Sequence, residues 1–142
     1  MTRLTLQQAN RIIEGALAKA REMKIKPLGV VVLDESGHLK AAQREDAASM
    51  FRVDVATGKA WAAVAMGASS RVLAARAKDN PNFFVTLAAT AEGKFLPQTG
   101  AVLIRNASGE LLGAAGASGG TGDEDEAACK HGIEHAGLIA EV

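Results

Sequence analysis

Apolar residues recur at steps of three and four from the start of the chain: Leu6, Ala9, Ile13, Ala16, Ala20 and Met23, with Ile12 and Leu17 widening the stripe. This spacing predicts an amphipathic first helix, and Thr5 with Gln8 forms a capping box that fixes its start. Pro27 lies past its end, where the pattern changes. Leu28-Gly29-Val30-Val31-Val32-Leu33 is β-rich and almost continuously apolar, as expected of a strand covered on both faces. Asp34-Glu35-Ser36-Gly37 supplies a turn with glycine where φ > 0 is wanted, and His38 to Arg44 returns as the partner strand. The same signature recurs 72 positions later, from Val102 to Leu111, with Asn106 opening the turn and Ser108-Gly109 at its corner. Asx-x-Ser-Gly is a common way to build such a corner, so we read the match as one turn chemistry used twice rather than as a duplication.

Between the two hairpins the composition is helical. Phe51 to Gly67 is apolar over most of its circumference, which predicts burial deep in the fold or in a subunit interface. Ser69 to Ala77 and Phe83 to Ala91 read as shorter helices, divided at Asp79-Asn80-Pro81 because the proline stops the first of them. Lys94 to Pro97 reads as a short edge strand, Leu111 to Ala115 as a strand, and Asp123 to Ala136 as the last helix, ended by Gly137. Helix, hairpin, several helices, hairpin, helix is the order of an antiparallel sheet with helices packed on it, an α+β fold.

Length and charge narrow the function classes. A chain of 142 residues predicts one domain spanning 1–142. Sixteen basic and 16 acidic residues, with no basic stripe, exclude nucleic acid as the main partner. The single Cys129 forms no intrachain disulfide, and the N-terminus enters helical patterning without a signal-type apolar block, so a cytoplasmic protein is expected. No apolar run approaches the roughly 20 residues that span a bilayer, which excludes a membrane helix. Four Phe, one Trp and no Tyr among many Ala and Gly favour close helix packing over a large aromatic cavity.

Candidate chemistry centres on Gly116-Ala117-Ser118-Gly119-Gly120-Thr121-Gly122-Asp123-Glu124-Asp125-Glu126, read as a glycine-rich loop running into a helix. Thr121 and Glu124 make a second capping box. The helix dipole alone accounts for acidic residues in the first turn. Four carboxylates there oppose phosphate, and the P-loop lysine pattern is absent, so a neutral or mixed-charge ligand on the loop amides fits better. Lys59 stands among small residues of the most apolar helix, and two readings stay open: it snorkels or pairs with a carboxylate, or it contacts a ligand. Arg44 and Asp46 end the second strand as solvated charges or as site residues. His131 and His135, four apart on one helical face, have the spacing of a shared metal. With no third ligand evident, no metal site is assigned, and an exposed pair or one histidine facing a pocket or cofactor stays open. His38, just after a turn, reads as a surface residue. Cys129 reads as a small buried apolar residue, and Ser118 lacks the elbow and partners of a serine hydrolase.

Several of these residues carry a resemblance. Leu28 to Asp34 with its Ser-Gly turn, the Arg44-Glu45-Asp46-Ala47 corner, Gly58-Lys59-Ala60, and Ser118-Gly119-Gly120-Thr121 leading to Asp125-Glu126-Ala127 resemble the GlcG/HbpS-like (DUF336-type) family over nearly the whole chain. The resemblance implies a profilin-like layered fold, a five-stranded antiparallel sheet flanked by helices, and a homo-oligomer. It implies a pocket shared by Arg44, Asp46, Lys59 and the Gly119 to Glu126 segment. It also implies haem or another tetrapyrrole as a possible cofactor, with His131 or His135 as axial candidates. Three functions follow. The first is a haem-binding protein in which a flat ligand lies between the alanine-rich helices and Lys59 or Arg44 pairs with a propionate. The second is an enzyme in which Lys59 with Asp46 or Glu126 performs acid/base work on a small carboxylate held by Arg44, Ser118, Gly119, Gly120, Thr121 and Asp125. The third is an accessory oligomer assembled through the Phe51 to Gly67 helix.

Overall fold

In this computed structural model residues 3–142 are described. The continuous apolar run becomes β1 (Gly29–Asp34), which pairs antiparallel with β2 (Leu39–Arg44) across the first turn. Asp34 Oδ1 accepts from the amides of Ser36 and His38 at 2.9 and 3.0 Å, and Gly37 takes φ +80°. The second hairpin, β3 (Ala101–Arg105) and β4 (Leu111–Ser118), repeats this chemistry: Asn106 Oδ1 accepts from Ser108 and Glu110 at 3.0 and 2.9 Å, and Gly109 takes φ +84°. The hairpins join through β1 and β4, and the short strand β5 (Ile139–Glu141) pairs with β3, giving the order β2-β1-β4-β3-β5, antiparallel throughout.

Both faces of the sheet are covered at its inner strands β1, β4 and β3, which is why β1 carries no polar alternation. Val30 and Val32 point to one side, where α1 (Leu6–Glu22) and α5 (Gly122–His135) pack with Ile12, Ile13, Ala16, Ala128 and Ile133. Val31 and Leu33 point to the other, against Ala56, Ala60 and Ala63 of α2 (Phe51–Met66). Ala62, on a further side of α2, packs with Leu73 of α3 (Ser70–Asp79), Phe84 of α4 (Pro81–Thr90) and Phe95. Burial inside the fold thus accounts for much of the apolar circumference of α2. Both capping boxes form, at Thr5 and Gln8 and at Thr121 and Glu124. No described helix is long and apolar enough to cross a membrane.

Two segments differ from their sequence reading. Lys94 to Pro97 forms no strand: it crosses α2, where the Leu96 amide donates to the Gly58 carbonyl at 3.3 Å, and the fifth strand is the C-terminal Ile139–Glu141 instead. Gly116-Ala117-Ser118 is strand, not loop. Gly116 is there because the α2 backbone lies directly on the sheet, and a Cβ at this position would collide with the Ala56 carbonyl.

Candidate ligand-binding site

At the end of β4 the chain leaves the sheet and starts α5 within four residues, and α2 passes over this junction. Three α2 residues spaced i, i+3 and i+7, Arg52, Val55 and Lys59, therefore share one face and look onto the β4 to α5 corner. Together with Gln98, Thr99 and the residues of the corner itself they enclose a cleft of about 490 Å³.

Lys59 is the centre of the polar floor. Its side chain is 7% exposed, and its Nζ donates to the Ala117 carbonyl at 3.1 Å and to Asp125 Oδ2 at 3.3 Å. Gly100, at φ +136°, makes room for the ammonium, since a Cβ there would stand 2.6 Å from Nζ. Asp125, 1% exposed, also accepts the Gly120 amide on Oδ1 at 2.9 Å. Burial pushes its carboxyl above the ordinary range, although the Lys59 charge and the Gly120 amide pull the other way. Of the two readings of Lys59, the ion pair is what forms. Cys129, beneath this pair, is fully buried and its thiol is pushed far up by desolvation, so it is an inert core residue.

The acidic first turn of α5 is partly neutralised from α3. Arg71 binds Glu126 through Nε at 2.9 Å and reaches Asp123 through Nη2. The carboxylates that the helix dipole favours are thus also held by an ion pair. Arg52 is the residue that sequence reading missed. Its Nη1 donates to Ser118 Oγ at 2.8 Å and its Nε to Ser49 Oγ at 3.2 Å. The available signal was its seven-residue spacing from Lys59, two helical turns along the same face.

The expected residues do not form a single pocket. Arg44 and Asp46 line a separate cleft of about 460 Å³ with Arg21 and Pro27, because β2 is the edge strand farthest from β4's outer neighbours and its end turns toward α1. Arg44 Nη1 donates to the Ala48 carbonyl at 2.7 Å. Asp46 therefore stands apart from Lys59, and Glu126 is engaged by Arg71, so the acid/base trio is not assembled. Between α1 and α5 the helices touch backbone to backbone at Gly15 and Gly132, which leaves no slot for a flat ligand at that crossing. His131 and His135 lie outside the Lys59 cleft on the exposed side of α5, their rings stacked 6.4 Å apart, with His135 Nε2 3.9 Å from Glu14 Oε1. No group of three or more His, Cys, Asp or Glu among the described residues is disposed to hold a metal ion.

A third cleft, about 670 Å³, opens on the other side of α2. Asp54, Gly58 and Trp61, again spaced along one helical face, form one wall; the turn residues Gly37 and His38 and the Lys94 segment form the rest.

This layered arrangement and the glycine-rich corner coincide with a known family. The family model described as "Haem degrading protein HbpS-like" matches residues 4–134. The chain belongs to the HbpS-like family. Among solved structures, the HbpS-like fold is shared with a PduOC:heme complex at 22% identity, covering 99% of this chain and 100% of that one with a TM-score of 0.86. A double-mutant HbpS from Streptomyces reticuli matches at 27% identity over 94% of this chain and 87% of that one, TM-score 0.80. Klebsiella pneumoniae ORFY, of DUF336, matches at 22% over 96% and 93%, TM-score 0.85. None of the curated proteins matches the chain.

Proposed function

We propose that this protein binds haem, and membership of the HbpS-like family is the observation that carries this reading. A relative of the same fold crystallised with heme supports it. The chemistry of the clefts favours one of them as its seat. The Lys59 cleft is lined by no His, Met, Cys or Tyr, the side chains that ordinarily hold haem iron, and its lysine is already paired. The Trp61 cleft does fit. It is the largest of the three, and it brings together an imidazole (His38), a flat indole (Trp61) and a cation for a propionate (Lys94). The His38 side chain is 80% exposed, so its imidazole is open to a ligand in this cleft. Bound haem would supply ligand exchange and redox chemistry at its iron; the chain supplies the seat. In this reading His38, rather than His131 or His135, would hold the iron.

Haemin titration of the purified protein tests it. The expected result is a saturable Soret band at one haem per subunit, with quenching of the fluorescence of the single Trp61. His38→Ala should shift or abolish the band, whereas His131→Ala and His135→Ala should titrate like the parent. A non-saturating change, equal in all four proteins, would be adsorption and would end the haem reading.

A further inference from the structure

We infer that the Lys59 cleft is a second binding site, specific for a small organic carboxylate and independent of haem. Arg52 carries the argument. It is half-buried, lies at the mouth of a concave site and forms no ion pair among the described residues. Its guanidinium is nevertheless held in place, Nε by Ser49 Oγ and Nη1 by Ser118 Oγ. Nη2 donates to no described residue. An arginine whose Nε and Nη1 are fixed by two neutral hydroxyls keeps its charge and its Nη2 donor for a carboxylate entering the cleft, having none of its own chain.

The charges around it fit one negative charge and no more. Lys59 is neutralised by Asp125 at 3.3 Å, and Asp123 and Glu126 are drawn to Arg71, so Arg52 is the uncompensated cation of the cleft. A phosphate dianion would need a second free cation and would face Asp123 and Asp125 across the cleft. Neutral donors complete the site. Thr99 and Thr121 line it, as do the first-turn residues Gly122 and Asp123, whose amides have no acceptor within the helix and are not claimed by the capping box. A volume of about 490 Å³ suits a small metabolite.

The site lies on the Arg52-Val55-Lys59 face of α2, while the Trp61 cleft uses the Asp54-Gly58-Trp61 face. Ligand binding here therefore does not depend on the haem reading.

Lactate, a monoanion at neutral pH, is the probe, with lactamide as its uncharged analogue, inorganic phosphate as the alternative anion and sodium chloride to match ionic strength. Lactate should raise the thermal unfolding temperature saturably, and lactamide and phosphate should not. Arg52→Gln should raise the half-saturating lactate concentration by roughly tenfold or more, the loss expected for a charged hydrogen-bonding partner. Arg52→Lys, which keeps the charge but loses the planar group held by the two serines, should also weaken binding. As a measurement that needs no variant, amide NMR shifts on adding lactate should concentrate at Gly120, Gly122 and Asp123. No effect beyond that of sodium chloride, an equal effect in Arg52→Gln, equal protection by phosphate, or shifts centred elsewhere would each overturn the proposal.

Discussion

At pH 8, Lys59→Met unfolds with a free energy about 3–5 kcal/mol below that of the parent protein, the cost of leaving one partner of a buried ion pair alone. This deficit shrinks as the pH falls. Lys59 and Asp125 are 7% and 1% exposed, so neither can turn to water without moving α2 or α5. Methionine fills much of the lysine stem's volume but leaves the Asp125 carboxylate with only the Gly120 amide for support. The sign of the pH effect follows from the Asp125 proton. Its folded pKa is already raised by burial, and the Lys59 charge is the largest influence holding it down. Removing that charge raises it further, while the unfolded value stays near 3.9. A group with a raised folded pKa contributes stability that is fully present below the unfolded pKa and is lost as the pH climbs through the folded one. The variant should therefore approach the parent near pH 4 and fall away from it above. Urea unfolding at pH 4.5 and pH 8 reads this directly, and a loss of equal size at both pH values would sink the argument. Lys59→Met combined with Asp125→Asn should recover much of the stability at pH 8, since the uncompensated charge is then gone.

How far the sequence announces this site can be judged residue by residue. The capping boxes at Thr5 and Thr121, the paired Asx turns and the stop at Gly137 are local chemistry, complete within a few residues, and they form as read. Gly116 was misread as loop because its reason is not local: only the approach of the Ala56 carbonyl from another element explains a glycine inside β4. The C-terminal strand Ile139–Glu141 was missed for the same reason, being three residues long and defined by pairing with β3. Lys59 announced itself as a charge in an apolar helix, but its partner lies 66 residues away, a distance that no spacing rule spans. Arg44 and Arg52 differ by eight positions and by nothing in composition. The turn after β2 sends one to a different cleft, and α2 carries the other to the Ser118 corner.

The second large effect is expected far from any cleft. Gly132→Val should destabilise the protein by about 3 kcal/mol, at the upper end of the cost of overpacking. Glycine inside a helix sacrifices about 1 kcal/mol relative to alanine, so propensity alone would favour replacing it. The helix pair explains its presence. A Cβ on Gly132 would collide with the Ile12 carbonyl of α1 and lie 3.0 Å from the Ala16 amide nitrogen, and Gly15 of α1 meets Gly132 Cα at the same 3.0 Å from its own ideal Cβ. These are backbone atoms, which cannot turn aside as a flexible side chain would. The added methyls must push α5 off α1, opening the contact among Ile12, Ile13, Ile133 and the sheet that forms the larger core. Lys130→Ala, two residues earlier and exposed, removes a side chain from the same helix without touching α1 and should stay within about 0.5 kcal/mol of the parent. Urea denaturation of the two variants side by side distinguishes them, and similar midpoints would mean that α5 has slack at this crossing. The displacement matters for the site as well, because Asp125 and the amides of Gly122 and Asp123 ride on the start of α5. A helix levered away at Gly132 should carry them from Lys59 and Arg52, so the variant should lose lactate protection along with stability, although no residue of the cleft has been changed.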